Sequence, residues 1–176
     1  MSNWQTNESV KKGNRGEDIV YNILCEKGYL VYKYEQDKRH IIDFVVFNTE
    51  VHRIRFVDIK CKPARRKFPD TGFDIKSLEE YKLIMDIAPV YIFWVDEAKK
   101  EVYYQDLEEL LKPILIKHND IELDYPIFSK NIVYFPLEKM KHLCKISDEQ
   151  AKQIRKYSNI SEKYCKVNEN ILKLKK

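Results

Sequence analysis

The first hundred residues alternate between segments with helical and with strand-like hydrophobic spacing. Apolar residues recur at helical intervals from Ile19 to Leu24, so a helix is predicted over residues 8–27, with Gly28 as its natural end. Runs of strand-forming residues and one further helix follow: strands at 29–35, 40–47, 52–61, 90–95 and 101–104, and a helix at 74–87 that Pro89 closes. A helix after a strand hairpin, followed by another strand, indicates a mixed sheet with helices on both faces.

The remainder of the chain is expected to be richer in helix. The predicted elements are helices at 105–117, 137–145 and 148–157, and a short strand at 132–135. From residue 158 onward the Lys-rich sequence is compatible with either a helix or a loose tail. Since no Gly/Ser/Pro-rich linker precedes this part, we expect a single domain overall, with a core of residues 1–104 and a helical extension of residues 105–176 packed on it.

Composition removes several classes of protein. No apolar run approaches the roughly 18 residues of a membrane span, and the polar start is unlike a secretory signal, so a soluble cytoplasmic protein with no membrane partner is expected. Only 4 glycines occur, which leaves no room for a P-loop or a dinucleotide fingerprint and argues against a nucleotide cofactor. The 4 cysteines and 4 histidines show no metal-ligand spacing, which argues against a zinc site.

Charge is spread unevenly along the chain. The net charge of +4 is the sum of +4 over residues 1–70, −7 over residues 71–125 and +7 over residues 126–176. Two basic segments flanking an acidic one can build a surface that faces phosphate groups, if the fold brings them together. An ordinary solvated lysine-rich surface accounts for the charge alone equally well.

The predicted hairpin of the second and third strands carries the candidate chemistry. Asp58 and Lys60 are two residues apart, so both project from the same face of the third strand. A turn centred on residues 50–51 sets a register in which paired residue numbers sum to 101, and this register brings Asp43 opposite Asp58. The same face would carry four apolar residues: Val45, Phe47, Ile54 and Phe56.

Two carboxylates facing each other beside an apolar surface repel one another and destabilise the fold. A divalent cation between Asp43 and Asp58 removes this penalty, and hard oxygen ligands suit Mg²⁺ or Mn²⁺. Lys60, beside the pair, can orient a water molecule or stabilise a phosphoryl anion. Asp-x-Lys on a strand is common by itself; the apolar flanks and the aligned Asp43 are what make this one a candidate site.

These residues resemble the motif of the PD-(D/E)xK nuclease superfamily. Ile42-Asp43 is followed after fourteen residues by Asp58-Ile59-Lys60. The first helix adds Lys12-Gly13-Asn14-Arg15-Gly16-Glu17, which is similar to the Gly-x-x-x-Glu element of archaeal-type Holliday junction resolvases and related restriction-like endonucleases. The predicted element order also fits, so the resemblance implies a restriction-endonuclease-like α/β fold over roughly residues 11–96, with a helix-rich C-terminal extension.

The resemblance also implies roles for individual residues. Asp43 and Asp58 would ligate the metal, with the main-chain carbonyl of Ile59 as a further ligand. Lys60 would position the attacking water, and Glu17 would complete the acidic site from the first helix. Two departures from the usual motif are present: Ile42 stands where the motif has proline, and Asp58 stands where glutamate is more frequent.

Basic residues before and after this motif are candidates for contacts with a nucleic-acid backbone. They are Lys11, Lys12 and Arg15 at the start of the first helix, and Lys62, Arg65, Arg66 and Lys67 in the loop after the third strand. Each group can equally be a solvated surface. Tyr81, in the helix after the motif, is interpreted as a core or surface residue.

The function implied is that of a Mg²⁺- or Mn²⁺-dependent endonuclease acting on DNA. A homodimer is compatible with it, because cutting two strands or a symmetric junction favours two-fold symmetry. Two alternatives stay open: a non-catalytic nucleic-acid-binding module of the same fold, and a nuclease acting on RNA.

Overall fold

The computed structural model describes residues 7–34 and 40–156. The helices are α1 (Glu8–Glu26), α2 (Ile75–Lys82), α3 (Leu107–Leu111) and α4 (Asp148–Arg155). The strands are β1 (Leu30–Lys33), β2 (Phe44–Asn48), β3 (Arg53–Cys61), β4 (Asp70–Asp74), β5 (Val90–Asp96), β6 (Glu101–Asp106), β7 (Ile114–His118), β8 (Ile121–Tyr125), β9 (Ile127–Ser129), β10 (Ile132–Pro136) and β11 (Lys141–Lys145).

A six-stranded sheet with the order β1-β2-β3-β5-β6-β11 forms the centre of the fold. β3 and β5 run parallel, and the other neighbouring pairs in this sheet are antiparallel. The parallel pair requires the chain to cross over between the two strands, and β4 and α2 make this crossover. The predicted mixed sheet is therefore confirmed.

Helices cover both faces of this sheet, as the sequence predicts. On one face, α1 and α4 pack through residues such as Val20 and Ile154 against Phe44 and Val57 of the sheet. On the other face, α2 and α3 pack with β4 and β10 around Trp94. Along each strand, alternate side chains belong to the hydrophobic cores on the two faces of the sheet, because consecutive side chains point to opposite faces.

Gly16 allows α1 to lie unusually close to β3. A Cβ atom at this position would stand 3.0 Å from Cβ of Cys61 and 3.6 Å from Cγ2 of Ile59. The close approach fixes the distance between the helix and the strand that carries Asp58 and Lys60. The position of Glu17, the next residue of α1, depends on the same contact.

Between residues 105 and 156 the structure differs from the sequence prediction, because strands replace much of the expected helix. The predicted helix at 105–117 ends at Leu111, since a residue that precedes proline avoids helical geometry and Lys112, before Pro113, has an extended backbone. The predicted helix at 137–145 is wrong: a short 3-10 turn at Leu137–Lys139 leads into β11, which pairs with β6 at the edge of the large sheet. α4 agrees with the prediction.

Two smaller sheets contain the remaining strands, of which the sequence predicts only β10, as the short strand at 132–135. β4, β10 and β9 form a three-stranded sheet, and β7 and β8 form a separate hairpin. β4 begins inside the loop that is expected after the third strand. The prediction for residue 158 onward falls outside the described residues, and within them no helix is long and apolar enough to cross a membrane.

Candidate active site

The register predicted for the β2–β3 hairpin is confirmed. Phe44 pairs with Val57 and Val45 pairs with Phe56, so paired residue numbers sum to 101. Asp43 comes immediately before β2, and its backbone N–H donates to the carbonyl of Val57 at 2.9 Å. The next pair in this register is Asp43 with Asp58.

A backbone hydrogen bond holds the carboxylate of Asp43 in place, and the negative charges of Asp58 and Glu17 lie near it. Its Oδ2 atom accepts a hydrogen bond from the N–H of Ile59 at 2.7 Å. Burial, and then the charges of Asp58 and Glu17, raise the pKa of Asp43 well above its usual value, although the Ile59 N–H and Lys60 oppose the change. The two carboxylates thus repel each other, as the sequence predicts.

Lys60 lies against Asp58 on the same face of β3. Its Nζ atom is 2.8 Å from Oδ2 of Asp58, whose side chain is only 8% exposed. Burial lowers the pKa of Lys60, but the combined effects of Asp58 and Tyr81 outweigh burial, and the pKa is raised above its usual value. The ammonium is also near two aromatic rings, 5.9 Å from the ring centre of Phe73 and 5.7 Å from that of Tyr81.

Glu17 lies on α1 and acts on the site through its negative charge. Its charge contributes to the raised pKa of Asp43. Its Oε2 atom is 3.3 Å from Nζ of Lys33 on β1, and this lysine also contacts Asp18 at 3.1 Å. A cation at the edge of the sheet therefore balances part of the negative charge that α1 brings to the site.

The oxygen atoms in the site match the requirements of Mg²⁺ better than those of zinc. Asp43 and Asp58 provide carboxylates whose repulsion a cation would relieve, and carboxylate oxygens are hard ligands of the kind that Mg²⁺ takes. No group of three or more His, Cys, Asp or Glu side chains in the described part of the chain is arranged to hold a metal. Mg²⁺ suits such a small set, since it is commonly held by one or two carboxylates together with water and substrate phosphate.

The basic residues that the sequence singled out have different surroundings. Lys62 lies close enough for the charges of Lys60 and Asp58 to act on it, and burial and then the charge of Lys60 lower its pKa. Lys11, Arg66 and Lys67 are exposed. On α1, Arg15 lies 3.6 Å from Asp18 with half of its side chain exposed.

Lys12 and Arg65 have internal partners that the sequence did not reveal. Lys12 forms an ion pair with Glu97, which is 1% exposed. Arg65 forms two bonds of 2.5 Å to the fully buried Asp70, and its guanidinium lies 3.8 Å from the ring centre of Tyr134. A buried carboxylate needs such a partner, so both cations have a structural role that competes with binding to phosphate.

Sequence reasoning missed the contact that Tyr81 makes with the site. Tyr81 is on α2 and is 1% exposed, the ammonium of Lys60 lies 5.7 Å from the centre of its ring, and its hydroxyl lies near the charges of Asp58 and Lys60. Burial and then the charge of Asp58 raise the pKa of this hydroxyl. In the sequence, only the position of Tyr81 on the apolar side of α2 indicated that it faces the sheet.

Comparisons with known proteins return similar structures but no similar sequences. No family model matches the chain, and no curated protein sequence matches it. Among solved structures, the chain is similar to Hjc, a Holliday junction resolvase from the archaeal hyperthermophile Archaeoglobus fulgidus, with a TM-score of 0.48 and 12% identity over 73% of this chain and 86% of that one. It is also similar to a nuclease from a fusselovirus, with a TM-score of 0.40 and 13% identity over 81% and 87% of the two chains.

Proposed function

We propose that this protein is a metal-dependent endonuclease that hydrolyses phosphodiester bonds of DNA. The observation that carries the proposal is the meeting of Asp43, Asp58 and Lys60 at the end of the β2–β3 hairpin. Asp43 has a raised pKa because it is buried and near the negative charges of Asp58 and Glu17. Such a cluster of carboxylates destabilises the fold through charge repulsion. A bound divalent cation would offset this repulsion, and cation binding is therefore the function that the chemistry of the cluster supports.

Asp43 and Asp58 are the proposed metal ligands, and the main-chain carbonyl of Ile59 is a third. The hydrogen bond from the Ile59 N–H to Oδ2 of Asp43 fixes the orientation of that carboxylate. Mg²⁺ or Mn²⁺, when bound, would lower the pKa of a coordinated water and offset the charge that develops on the phosphate. Glu17 adds negative charge from α1 and is proposed to complete the acidic site.

Lys60 is proposed to act on the attacking water and on the phosphate. As an ammonium paired with Asp58 it is a donor of hydrogen bonds and a positive charge, and it has no lone pair with which to take a proton. It can therefore orient a water molecule through the oxygen lone pair and stabilise the negative charge of the transition state.

Contacts with the DNA backbone are proposed for the basic residues that surround this cluster. Lys62 is the first of them, because the charges of Asp58 and Lys60 already act on it. Arg66 and Lys67 continue the same loop, and Lys11 and Arg15 extend the surface along α1. Lys12 and Arg65 are left out of this set because they bind Glu97 and Asp70.

The test is a set of cleavage assays with the full chain. Linear duplex DNA, a four-way DNA junction, single-stranded DNA and RNA are each incubated with Mg²⁺, with Mn²⁺ and with EDTA. We expect at least one form of DNA to be cut with either metal and none to be cut in EDTA. Asp86→Asn, which changes an exposed carboxylate after α2, serves as a control and should cut like the wild type.

Two other outcomes would favour the alternatives. Cleavage of RNA without cleavage of any DNA would identify a ribonuclease. Binding to nucleic acid without cleavage under any of these conditions would support a binding module of the same fold.

A further inference from the structure

The loop of residues 62–69, which we call the basic loop, is held near both of its ends. It begins directly after β3, the strand that carries Asp58 and Lys60. Near its start, the N–H of Ala64 donates to Oδ2 of Asp96 on the neighbouring strand β5, at 3.1 Å. At its end, the carbonyl of Pro69 accepts a hydrogen bond of 2.9 Å from the segment after β10.

A second set of contacts closes the basic loop on itself. The N–H of Arg65 donates to the carbonyl of Asp70 at 2.7 Å, and its guanidinium donates two bonds of 2.5 Å to the carboxylate of the same residue. The hydroxyl of Tyr125 on β8 also donates to this carboxylate, at 2.6 Å. The guanidinium lies 3.8 Å from the ring centre of Tyr134 and 4.9 Å from that of Phe68. Arg65 and Asp70 thus connect the loop to β4, β8 and β10.

The stability of the fold does not by itself explain this ion pair. Asp70 is fully buried, and moving a carboxylate out of water costs free energy that attraction to a partner does not always offset. Apolar side chains of similar volume often give an equally stable fold. Two parallel hydrogen bonds between a guanidinium and a carboxylate do, however, fix the relative orientation of the two groups. The pair therefore fixes the conformation of the loop that contains Arg65.

The tip of the basic loop carries two exposed cations. Arg66 and Lys67 follow Arg65 directly and are exposed, whereas Asp70 is buried. Side chains and loops that are mobile before binding lose conformational freedom when they bind, and this loss weakens the complex. A loop that is already held in one conformation avoids part of the loss. The contacts between Arg65 and Asp70 can therefore strengthen phosphate binding although neither residue touches the phosphate.

We propose that Arg65 and Asp70 are positioning residues, which hold the basic loop in the conformation that directs Arg66 and Lys67 towards the phosphates of DNA. This inference rests on the DNA-binding part of the proposed function, and it does not depend on cleavage. The charge of Arg65 is balanced by Asp70, so its effect on DNA is exerted through the two residues that follow it.

The test is the affinity of the full-length Asp70→Asn variant for linear duplex DNA in EDTA, because charge alone predicts the opposite result. The substitution removes a negative charge, which by itself favours binding to DNA. It also places an amide NH₂ group opposite the N–H groups of Arg65, so one of the two bonds is lost. We expect the affinity to fall about 3-fold to 10-fold, since the tip of the loop must then be ordered on binding.

Two further variants accompany Asp70→Asn. Asp86→Asn makes the same change of charge at an exposed position and should bind DNA as well as the wild type or better. Arg65→Lys keeps the charge but cannot form two parallel bonds to a carboxylate, so its affinity should fall as that of Asp70→Asn does. If Asp70→Asn fails to fold, Arg65→Lys decides the question.

The salt dependence of binding separates lost phosphate contacts from a smaller fraction of folded protein. In Asp70→Asn, the slope of log K against log salt concentration should become shallower, by roughly 0.9 for each phosphate contact that is lost. A partly unfolded variant would bind less DNA with an unchanged slope. In a background with Arg66→Ala and Lys67→Ala, Asp70→Asn should leave the slope unchanged, because the contacts that it affects are already gone.

Amide hydrogen exchange measures the loop in the absence of DNA. The N–H of Arg65 is bonded to the carbonyl of Asp70, so its exchange should be slow in the wild type. In Asp70→Asn and in Arg65→Lys, exchange at this position should be at least about 10-fold faster, because the loop opens more often.

The outcomes distinguish this inference from the proposed function. An affinity that is unchanged or higher in Asp70→Asn and Arg65→Lys, or an unchanged exchange of the residue 65 N–H in both, would overturn the role of Arg65 and Asp70. DNA binding that weakens as expected in a protein that cuts no nucleic acid would support this role and contradict the proposed function. A wild type that binds no DNA would overturn both.

Discussion

At the scale of single residues, Asp43 and Lys60 are two largely buried charged side chains, and the surroundings of each one shift its pKa. Asp43 is stabilised by the Ile59 N–H and destabilised by its burial and by two neighbouring carboxylates, and the net effect is a raised pKa. Lys60 has the opposite balance, because the combined effects of Asp58 and Tyr81 outweigh the cost of its burial. The ionised form of Asp43 is therefore disfavoured in the folded protein, whereas the ionised form of Lys60 is favoured.

This balance predicts that Asp43→Asn stabilises the metal-free protein at neutral pH. In the unfolded chain an aspartate titrates near pH 3.9. Because the pKa of Asp43 is higher in the folded state, the folded protein keeps a proton that the unfolded chain has lost, and stability falls as the pH rises from about 4 through the folded-state pKa. The Asp43→Asn variant has no carboxylate to ionise at this position, so its stability does not fall in this way as the pH rises. The oxygen of its new amide can still accept the hydrogen bond from the Ile59 N–H.

Thermal unfolding in EDTA checks this prediction. The difference in melting temperature between Asp43→Asn and the wild type should be near zero around pH 4 and should grow towards pH 7.5. The exposed Asp86→Asn should show no such growth. A melting temperature of Asp43→Asn below that of the wild type at pH 7.5 in EDTA would mean that the ionised carboxylate contributes stability, contrary to this account.

At the scale of elements, the site depends on how closely α1 lies against β3. Gly16 is where the helix meets Cys61 and Ile59, while Gly13, one turn earlier, has no atoms near the position that a Cβ would take. Both glycines weaken the helix in the same way, through the entropy that glycine loses on folding. Only at Gly16 does the lack of a side chain also allow the helix to pack closely against the strand.

The two glycines provide a matched pair of alanine variants. Gly13→Ala should raise the free energy of unfolding by roughly 0.5–1 kcal/mol, as expected for a helix interior. Gly16→Ala should lower it by about 1–3 kcal/mol, since the new Cβ would stand 3.0 Å from Cβ of Cys61 and would force the helix away. Urea denaturation of both variants measures the difference; a gain in Gly16→Ala as large as that in Gly13→Ala would show that the contact is not tight.

The elements also show what the sequence could and could not predict. The hairpin register followed from local information, namely a turn at residues 50–51 and the period of a strand, and this alone brought Asp43 opposite Asp58. β11 could not be predicted in this way, because its structure comes from pairing with β6, some forty residues earlier. Tyr81 was missed for a similar reason, since its contact with Lys60 depends on how α2 packs on the sheet.

At the scale of the whole molecule, helices and strands of residues 105–156 contact the core of residues 1–104 at several places. β10 pairs with β4, β11 pairs with β6, and α4 packs on α1. The apolar residues Val133 and Phe135 of β10 lie in the same core as Trp94 of β5. Each contact joins residues that are far apart in sequence, so we expect each part to expose apolar surface in the absence of the other.

We therefore predict that the chain unfolds as one cooperative unit. Limited proteolysis should release no stable folded fragment that starts near residue 105, and the fragment of residues 1–104 should fail to fold alone, because it would expose the surfaces that β10, β11 and α4 cover. A protease-resistant fragment with a cooperative thermal transition of its own would contradict the prediction and indicate two domains.

The most direct test of the proposed function is the single-turnover rate constant of Asp58→Asn on the DNA substrate that the wild type cuts best, measured in Mg²⁺. The account predicts a rate at least about 10²-fold below that of the wild type, weaker binding of Mg²⁺ in a calorimetric titration, and an unchanged fold by circular dichroism. Lys60→Ala, measured alongside, should lose a comparable part of the rate while keeping most of its affinity for Mg²⁺. If Asp58→Asn cut DNA at the wild-type rate, the carboxylate pair on the β2–β3 hairpin would not be the site of cleavage.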